Sequence, residues 1–210
     1  MRIAVLGAAG MAGSRVVAEA VSRGHTPLAV YRSTRPEALP PGVTPVAGDA
    51  NDTAAMAALF AGADAVVAAT RPPAGREHTI AATTTALLDA AAAAGTRVLV
   101  IGGSGPLEVP GHPGRLVRDD PAYVPARWRT VADASTAQLA ACRAHSADWI
   151  YLSPPAVLEP GSRTGSYRRG TTTLLTAPDG TSRISAEDLA AAVLDELEVP
   201  YGERHFTVAY

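Results

Sequence analysis

The sequence begins with a short apolar run that leads directly into three evenly spaced glycines. Residues 3–6 contain no polar side chain, as in a strand covered on both faces of a parallel sheet. Gly7, Gly10 and Gly13 follow with the spacing G-x-x-G-x-x-G. The first glycine of such a turn permits a tight bend, the second lets backbone approach a pyrophosphate, and the third lets a helix pack closely on the strand. The pattern predicts a dinucleotide-binding turn; a plain strand-turn-helix unit is the alternative.

The helix after this turn is expected to begin near Met11 and to end at Arg23 and Gly24. Its first N–H groups have no partner inside the helix, and the helix dipole is positive at this end. The helix N-terminus would therefore face the phosphates of a dinucleotide. The predicted cofactor contacts in this stretch are Gly7, Ala9, Gly10, Met11, Ala12 and Gly13.

Length, charge and cysteine content narrow the class of protein. A chain of 210 residues is long enough for one well-buried α/β domain, and a net charge of -2 with both signs scattered offers no basic face for nucleic acid. The start shows no signal-peptide pattern, and no apolar run reaches about 18–20 residues. The one cysteine, Cys142, cannot form an internal disulfide. We therefore expect a cytoplasmic protein without nucleic-acid or membrane partners, and we assign no metal site.

Lysine is absent from the sequence, since all 18 basic residues are arginines. Schiff-base chemistry, a Walker-type lysine and the Tyr-x-x-x-Lys pair of ordinary short-chain dehydrogenases are therefore excluded. Tyr123 and Arg127 have the spacing of that pair. We discount them because Pro125 opposes a helical turn between them and because a guanidinium is a poor replacement for an ammonium group beside a tyrosine.

The end of the second predicted strand favours NADP(H) over NAD(H). A domain that binds NAD usually carries an acidic residue about 20 positions beyond the glycines, where it holds the ribose 2′-hydroxyl group. This chain has Arg32, Ser33, Thr34 and Arg35 instead. Guanidinium and hydroxyl groups suit a 2′-phosphate. A solvated loop with surface arginines is the alternative.

Further candidate residues follow other strands, because the carboxyl ends of parallel strands meet at the sheet edge where open α/β folds bind ligands. Asp49 and Ala50 follow the third strand, and Asp49 is either an adenine contact or an ordinary turn aspartate. Thr70 and Arg71 follow the fourth strand, near the expected ribose and nicotinamide. Pro154 follows the sixth, where backbone groups could hold the nicotinamide carboxamide.

Gly102, Gly103 and Ser104 follow the fifth predicted strand. Glycines here would leave room for a flat ring, and Ser104 offers a hydroxyl group that can donate and accept. An ordinary flexible turn is the alternative. Ser104 and Arg71 are the predicted catalytic residues.

Two segments rich in proline, glycine and arginine are interpreted as the substrate side of the protein. They span about 106–130, where we expect a long loop, and 153–185, which contains a β-rich run at 171–176. The sequence does not orient His78, His112 or Tyr123.

Short apolar runs alternate with segments of helical periodicity along the chain. Strands are predicted over 3–6, 27–31, 43–47, 65–69, 98–101, 148–152 and 206–209. This alternation predicts βαβ units and a doubly wound parallel sheet of the Rossmann type. We expect an α/β fold with one domain over 1–210 and a small substrate-side portion towards the C-terminus.

Three stretches give the chain a resemblance to the atypical short-chain dehydrogenases/reductases of the NmrA-like, NAD(P)H-binding family. They are GAAGMAG at 7–13, GGSGPLEV at 102–109, and the segment 152–167 that begins with LSPP. Within that family the chain is most similar to bacterial NADH-flavin reductases and, more distantly, to the animal biliverdin reductase B/flavin reductase. The animal enzyme has a histidine where this chain has Ala156, which argues against biliverdin-type chemistry.

The resemblance implies a domain that binds NAD(P)H along the carboxyl edge of the sheet and reduces a flavin or another flat acceptor. Residues at eight matching positions would carry this function, namely Gly7, Gly10 and Gly13 at the pyrophosphate, Arg32 near the 2′-phosphate, Thr70 and Arg71 after the fourth strand, Ser104 after the fifth, and Pro154 after the sixth.

The expected activity is hydride transfer from NADPH to a flavin or similar acceptor, for which stacking and distance matter more than a protein acid. Two alternatives stay open: a non-catalytic NADP(H)-binding redox sensor of the NmrA type, and a biosynthetic reductase that acts on a specific small metabolite. A sugar epimerase or dehydratase fits poorly because those enzymes usually rely on a Tyr-Lys pair. The sequence determines neither the physiological acceptor nor the oligomeric state.

Overall fold

The computed structural model describes residues 1–33, 35–36 and 39–210. The helices are α1 (Met11–Ser22), α2 (Thr53–Phe60), α3 (Ile80–Ala94), α4 (Arg129–Arg143) and α5 (Ala186–Glu198). The strands are β1 (Arg2–Leu6), β2 (Thr26–Tyr31), β3 (Thr44–Ala47), β4 (Ala65–Ala68), β5 (Val98–Ile101), β6 (Glu108–Val109), β7 (His112–Leu116), β8 (Trp149–Ser153), β9 (Val157–Glu159), β10 (Arg168–Gly170), β11 (Arg183–Ser185) and β12 (His205–Ala209).

Eight of these strands form one central sheet in the order β10-β12-β8-β5-β4-β1-β2-β3. All neighbouring pairs in this sheet are parallel except β10 with β12. The strand order reverses at β1, from which the chain first builds outward through β2 and β3 and then crosses to β4. The predicted α/β fold with a doubly wound parallel sheet is confirmed, and its reversal point places a ligand site above β1 and β4.

The apolar strands are buried because helices cover both faces of the sheet. Successive residues of β1 point to opposite faces, so that Ile3 and Val5 pack with α1 and α5, whereas Ala4 and Leu6 pack with α2, α3 and α4. Two hydrophobic cores therefore share one sheet. No helix among the described residues has both the length and the apolar character needed to cross a membrane.

The substrate-side segments differ from the sequence-based expectation in two places. Residues 106–130 are not a long loop, since they contain the β6–β7 hairpin and two short 3-10 turns, and they enclose a small core of Leu107, Val109, Val117 and Val124. The β-rich run at 171–176 contains no strand, only an isolated bridge from Thr173 to Glu108, and the edge strand β10 lies just before it. Periodicity missed both features because the strands are short and their apolar residues are irregularly spaced.

A buried polar contact joins the last two parallel strands of the sheet. Ser153 Oγ and His205 Nε2 lie 2.9 Å apart, and both residues are buried. The rings of His205 and Tyr151 are nearly perpendicular, at 79°, with 5.5 Å between their centroids. Burial, together with the positive charge of Arg143, lowers the pKa of His205 from 6.5 to about 4. The imidazole is therefore neutral in the folded protein under ordinary conditions.

His205 should make the folded state sensitive to mild acid. Between pH 6.5 and about 4 the unfolded chain binds a proton that the folded chain does not, so stability falls as the pH decreases through this range. The full loss from this one group is about 3 kcal/mol. Thermal melts of the wild type and His205→Gln across the range should show a smaller decline in the variant. Parallel curves would show that His205 does not remain neutral in the fold.

Candidate functional site

A continuous cleft runs along the carboxyl edge of the sheet. Its larger part has a volume of about 960 Å³ and lies over the ends of β1, β2, β3 and β4. The predicted site residues that line it are Gly7, Ala9, Gly10, Arg32, Ser33, Asp49, Ala50, Thr70 and Arg71.

The smaller part of the cleft has a volume of about 470 Å³ and lies between the end of β5, α4 and the segment after β8. The predicted site residues that line it are Gly10, Met11, Ala12, Thr70, Arg71, Gly102, Gly103, Ser104 and Pro154. Gly10, Thr70 and Arg71 line both parts. The tertiary structure thus brings nearly all predicted residues to one cleft, although their binding roles stay predictions. The exceptions are Gly13, which is buried behind the turn, and Arg35, which is exposed outside the cleft.

The three glycines of the first turn have different structural roles. A Cβ atom at Gly7 would lie 2.4 Å from the carbonyl oxygen of Ala69, and Gly7 has a φ of +76°. A Cβ atom at Gly13 would lie 2.2 Å from the carbonyl oxygen of Gly7. At Gly10, by contrast, the nearest atom would be 3.2 Å away, and the backbone is extended with φ -82°. The fold itself requires Gly7 and Gly13, whereas Gly10 faces the cleft and leaves its surface open.

The N-terminus of α1 opens onto the cleft without a side-chain cap. Gly10 is the N-cap residue and provides no side-chain cap for the first N–H groups, and the first turn contains no acidic residue. In contrast, Asp52 caps α2 and Ser185 caps α5. The free N–H groups of α1 and the positive end of its dipole are therefore available to an anion lying across Gly10.

Three arginines line the larger part of the cleft, and only two of them are predicted from the sequence. Arg32 follows β2 with Ser33, Arg71 follows β4, and Arg76 lies in the turn before α3. None of the three forms an ion pair with a carboxylate in the described parts of the chain. Arg76 was missed because it lies eight positions beyond Ala68, the last residue of β4. Thr34, part of the predicted phosphate-binding run, lies outside the described residues.

Asp49 forms a turn at the end of β3. Its Oδ1 atom accepts hydrogen bonds from the backbone N–H of Asn51 at 2.9 Å and from the Asn51 side chain at 2.8 Å. These bonds, with the positive charge of Arg32, lower the pKa of Asp49. Asn51 also accepts a hydrogen bond from Thr83 on α3 at 2.8 Å. Asp49 is thus a turn residue that also lines the cleft, and Asn51 and Thr83 are lining residues that sequence reasoning missed.

Thr70 and Arg71 lie where the two parts of the cleft meet. The Thr70 hydroxyl group is buried and has no hydrogen-bond partner within the described residues. The Arg71 side chain is exposed, and its guanidinium carbon lies 6.0 Å from the ring centroid of Trp128 across the smaller part. An unpaired hydroxyl group and a guanidinium free of carboxylate partners at one junction are suited to a polar ligand that spans both parts.

The glycine-rich loop after β5 owes its composition to contacts within the protein. A Cβ atom at Gly102 would lie 1.9 Å from the Tyr151 hydroxyl oxygen, and one at Gly105 would lie 2.3 Å from the carbonyl oxygen of Ala132. At Gly103 it would lie 2.9 Å from Cβ of Ser135. The loop therefore packs directly on α4 and β8. Glycines in this loop would be required even without a ligand. The sequence alone had suggested a different reason, namely room for a flat ring.

Buried polar side chains lie beneath this loop. Tyr151 donates a hydrogen bond to the carbonyl oxygen of Ser135 at 2.9 Å, and its hydroxyl group lies 3.3 Å from Gln138 Oε1. Gln138 in turn donates to Thr84 of α3 at 3.1 Å. Burial raises the pKa of Tyr151, so its hydroxyl group stays protonated. Gln138 also lines the smaller part of the cleft, and its place in the middle of a helical pattern gave no signal of this.

The structure also orients the residues that the sequence left undetermined. Tyr123 lines the smaller part of the cleft, whereas His78 and His112 are exposed and line neither part. Pro125 has extended backbone angles of -53° and 149° between Tyr123 and Arg127. Tyr123 and Arg127 therefore do not share a helical turn, which agrees with the prediction made from Pro125.

The fold and cleft define a class of dinucleotide-binding α/β protein, and comparison with known proteins identifies the family. The NAD(P)H-binding family matches residues 7–200. The chain is 34% identical to the uncharacterized protein YwnB of Bacillus subtilis over 212 residues, covering 99% of this chain and 98% of that protein. This chain is a member of the NAD(P)H-binding family, which confirms the resemblance noted from its motifs.

Solved structures of similar proteins cover the whole chain. One is a provisionally described exported protein of Burkholderia pseudomallei, with 38% identity, a TM-score of 0.89 and full coverage of both chains. Another is a provisionally described NADH-flavin reductase of Streptococcus pneumoniae TIGR4, with 27% identity and a TM-score of 0.88, covering 100% of this chain and 99% of that one.

Alanine at two positions of the first turn should separate binding from folding. Gly10→Ala should lower the melting temperature far less than Gly13→Ala, because its methyl group would make only one tight contact, 3.2 Å from the Gly7 carbonyl oxygen, but it should weaken NADPH binding by occupying the anion surface. Gly13→Ala should lower the melting temperature strongly, because its methyl group would lie 2.2 Å from a backbone oxygen. Thermal melts and calorimetric titrations would measure both effects. Unchanged NADPH affinity in Gly10→Ala would contradict this role for the turn.

Proposed function

We propose that this protein is an NADPH-dependent reductase that transfers a hydride to a flavin or another flat acceptor. The observation that carries the proposal is the junction of the two parts of the cleft at Thr70 and Arg71. A dinucleotide in the larger part would reach into the smaller part, where a second planar molecule has room to lie against it. The similarity to a provisionally described NADH-flavin reductase supports the same activity.

The residues that line the larger part fit NADP(H). The uncapped N-terminus of α1 and the open surface at Gly10 would hold the pyrophosphate. Arg32 and Ser33 would hold the 2′-phosphate. Arg76 lines the same part of the cleft and brings its guanidiniums, with those of Arg32 and Arg71, to three. Thr70 would give its unpartnered hydroxyl group to the ribose or nicotinamide end.

Bound NADPH would supply the hydride, and the protein would hold the cofactor and the acceptor in position. Transfer to a flavin ring nitrogen oxidises the nicotinamide and reduces the flavin, with one proton taken from solvent. Ser104 and Arg71 both line the smaller part and would hold the acceptor over the cofactor. Since the chain contains no lysine, this mechanism uses no Tyr-Lys pair. We propose that one domain spanning 1–210, in the cytoplasm, carries the complete site.

Loss of the Arg71 side chain should lower the rate of acceptor reduction more than it weakens cofactor binding. The wild type should oxidise NADPH faster when riboflavin or flavin mononucleotide is added, as followed by the loss of nicotinamide absorbance. Arg71→Ala should lower that rate about tenfold while weakening NADPH binding less, because one charge-assisted hydrogen bond contributes roughly 1.5–3 kcal/mol.

The matched control is Arg97→Ala, which removes an arginine paired with Asp148 at 2.7 Å next to the amino end of β5, away from the cleft. It should leave the rate unchanged. A larger effect of Arg71→Ala on NADPH affinity than on the rate would assign Arg71 to the cofactor. NADPH binding without oxidation by any flat acceptor would favour the redox-sensor alternative.

Arg32 should determine the preference for NADPH over NADH. Arg32→Ala removes a guanidinium suited to the 2′-phosphate, so KM for NADPH should rise about tenfold or more while KM for NADH changes little. Steady-state kinetics with both cofactors would measure the ratio, with Arg97→Ala again as the control. Equal increases for both cofactors would mean that Arg32 does not recognise the 2′-phosphate.

A further inference from the structure

An exposed tryptophan lies at the mouth of the smaller part of the cleft. Trp128 is 47% exposed, whereas the only other tryptophan, Trp149, is 4% exposed within β8. Trp128 lines the smaller part together with Tyr123 and Val131. A half-exposed indole contributes little to the hydrophobic core, and one that lines a cavity offers a large apolar face to a ligand.

The backbone of Trp128 is fixed at the start of α4. Its N–H group donates a hydrogen bond to the carbonyl oxygen of Pro125 at 2.8 Å, closing the short 3-10 turn that leads into the helix. The next residue, Arg129, forms an ion pair with Asp119 at 2.6 Å. The indole is thus carried on an anchored backbone, and only its two side-chain torsions are free. Such a side chain offers a large contact surface at a low cost in conformational entropy.

The surroundings of the indole are suited to an aromatic ligand. The Arg71 guanidinium carbon lies 6.0 Å from the indole centroid, within the range of a cation–π contact between the loop after β4 and the start of α4. The other charged residue that lines this part is Glu77, whose Oε1 atom accepts a hydrogen bond from the Gly75 N–H at 3.0 Å. The glycine-rich loop after β5 and Pro154 also line this part and add little side-chain bulk to it.

We infer that Trp128 is the stacking surface for the acceptor and that the acceptor is a planar, fused-ring aromatic molecule. This inference rests on the proposed function and adds to it the chemical class of the acceptor and the side chain that selects it. The indole face would stack on the ring of the acceptor, and Arg71 would hold the indole in place. Trp128 is a specificity-determining residue in this arrangement and takes no part in proton or hydride transfer.

Binding can be measured without turnover, because NADP+ cannot reduce the acceptor. Oxidised riboflavin is equilibrated by dialysis against protein saturated with NADP+, using the wild type, Trp128→Ala, Trp128→Phe and the control Trp149→Phe. Loss of the stacking surface in Trp128→Ala should raise the Kd about tenfold, since stacking on an aromatic side chain contributes substantially to affinity. Trp128→Phe should retain most of the affinity, and Trp149→Phe should retain all of it. Melting temperatures of the Trp128 variants should stay close to that of the wild type.

The outcomes separate this inference from the proposed function. Equal Kd values for the wild type and Trp128→Ala, or no riboflavin binding by the wild type, would overturn the inference. Riboflavin-dependent NADPH oxidation in which Trp128→Ala has the same KM for riboflavin as the wild type would overturn the inference as well, while leaving the reductase function in place. Riboflavin binding that depends on Trp128, without NADPH oxidation under any condition, would support the stacking site and reject the reductase function.

Discussion

Two close approaches between backbone segments position the rest of the site. The α carbon of Gly7 lies against the Ala69 carbonyl group, and that of Gly13 lies against the Gly7 carbonyl group, so that a methyl group at either position would come within 2.4 Å of an oxygen atom. A backbone carbonyl held in a sheet or a turn cannot move aside as a flexible side chain can. These contacts therefore fix the N-terminus of α1 beside the end of β4. The anion surface at Gly10 and the junction at Thr70 both depend on this arrangement.

The second half of the cleft depends on packing of another kind. The loop after β5 lies directly on Tyr151 and Ser135, and buried hydrogen bonds link Tyr151 through Gln138 to α3. Because a buried hydroxyl group or amide without a partner is costly, this network holds α3, α4 and β8 in one relative position. The loop that carries Ser104 is thereby supported from below. Its glycines are required by these contacts within the protein. The lack of side chains on its cleft side follows from that requirement.

Three arginines without an ion pair among the described residues give the cleft its charge. Several arginines away from the cleft instead pair with nearby carboxylates, as Arg23 does with Glu19 at 2.8 Å and Arg169 with the buried Glu196 at 2.8 Å. Exposed pairs, such as Arg97 with Asp148 at 2.7 Å, contribute little to stability but neutralise the local charge. Within the cleft, Arg32, Arg71 and Arg76 have no such partner in the described parts of the chain. An anionic ligand would meet positive charge there without displacing a carboxylate.

The sequence by itself determined the parallel strands of the central sheet and the sheet edge at which the site lies. Apolar runs of four to six residues before glycines or polar turns specify buried parallel strands, and the carboxyl ends of such strands meet by geometry, which placed Gly10, Thr70 and Ser104 at one cleft. Only the tertiary structure placed Arg76, Gln138 and Trp128 in the same cleft, because their positions depend on how α3, α4 and the 106–130 segment pack on the sheet. Local periodicity reports which face of an element is buried. It does not report which distant surface that element meets, since such contacts are long-range and are set by side-chain packing across the whole core.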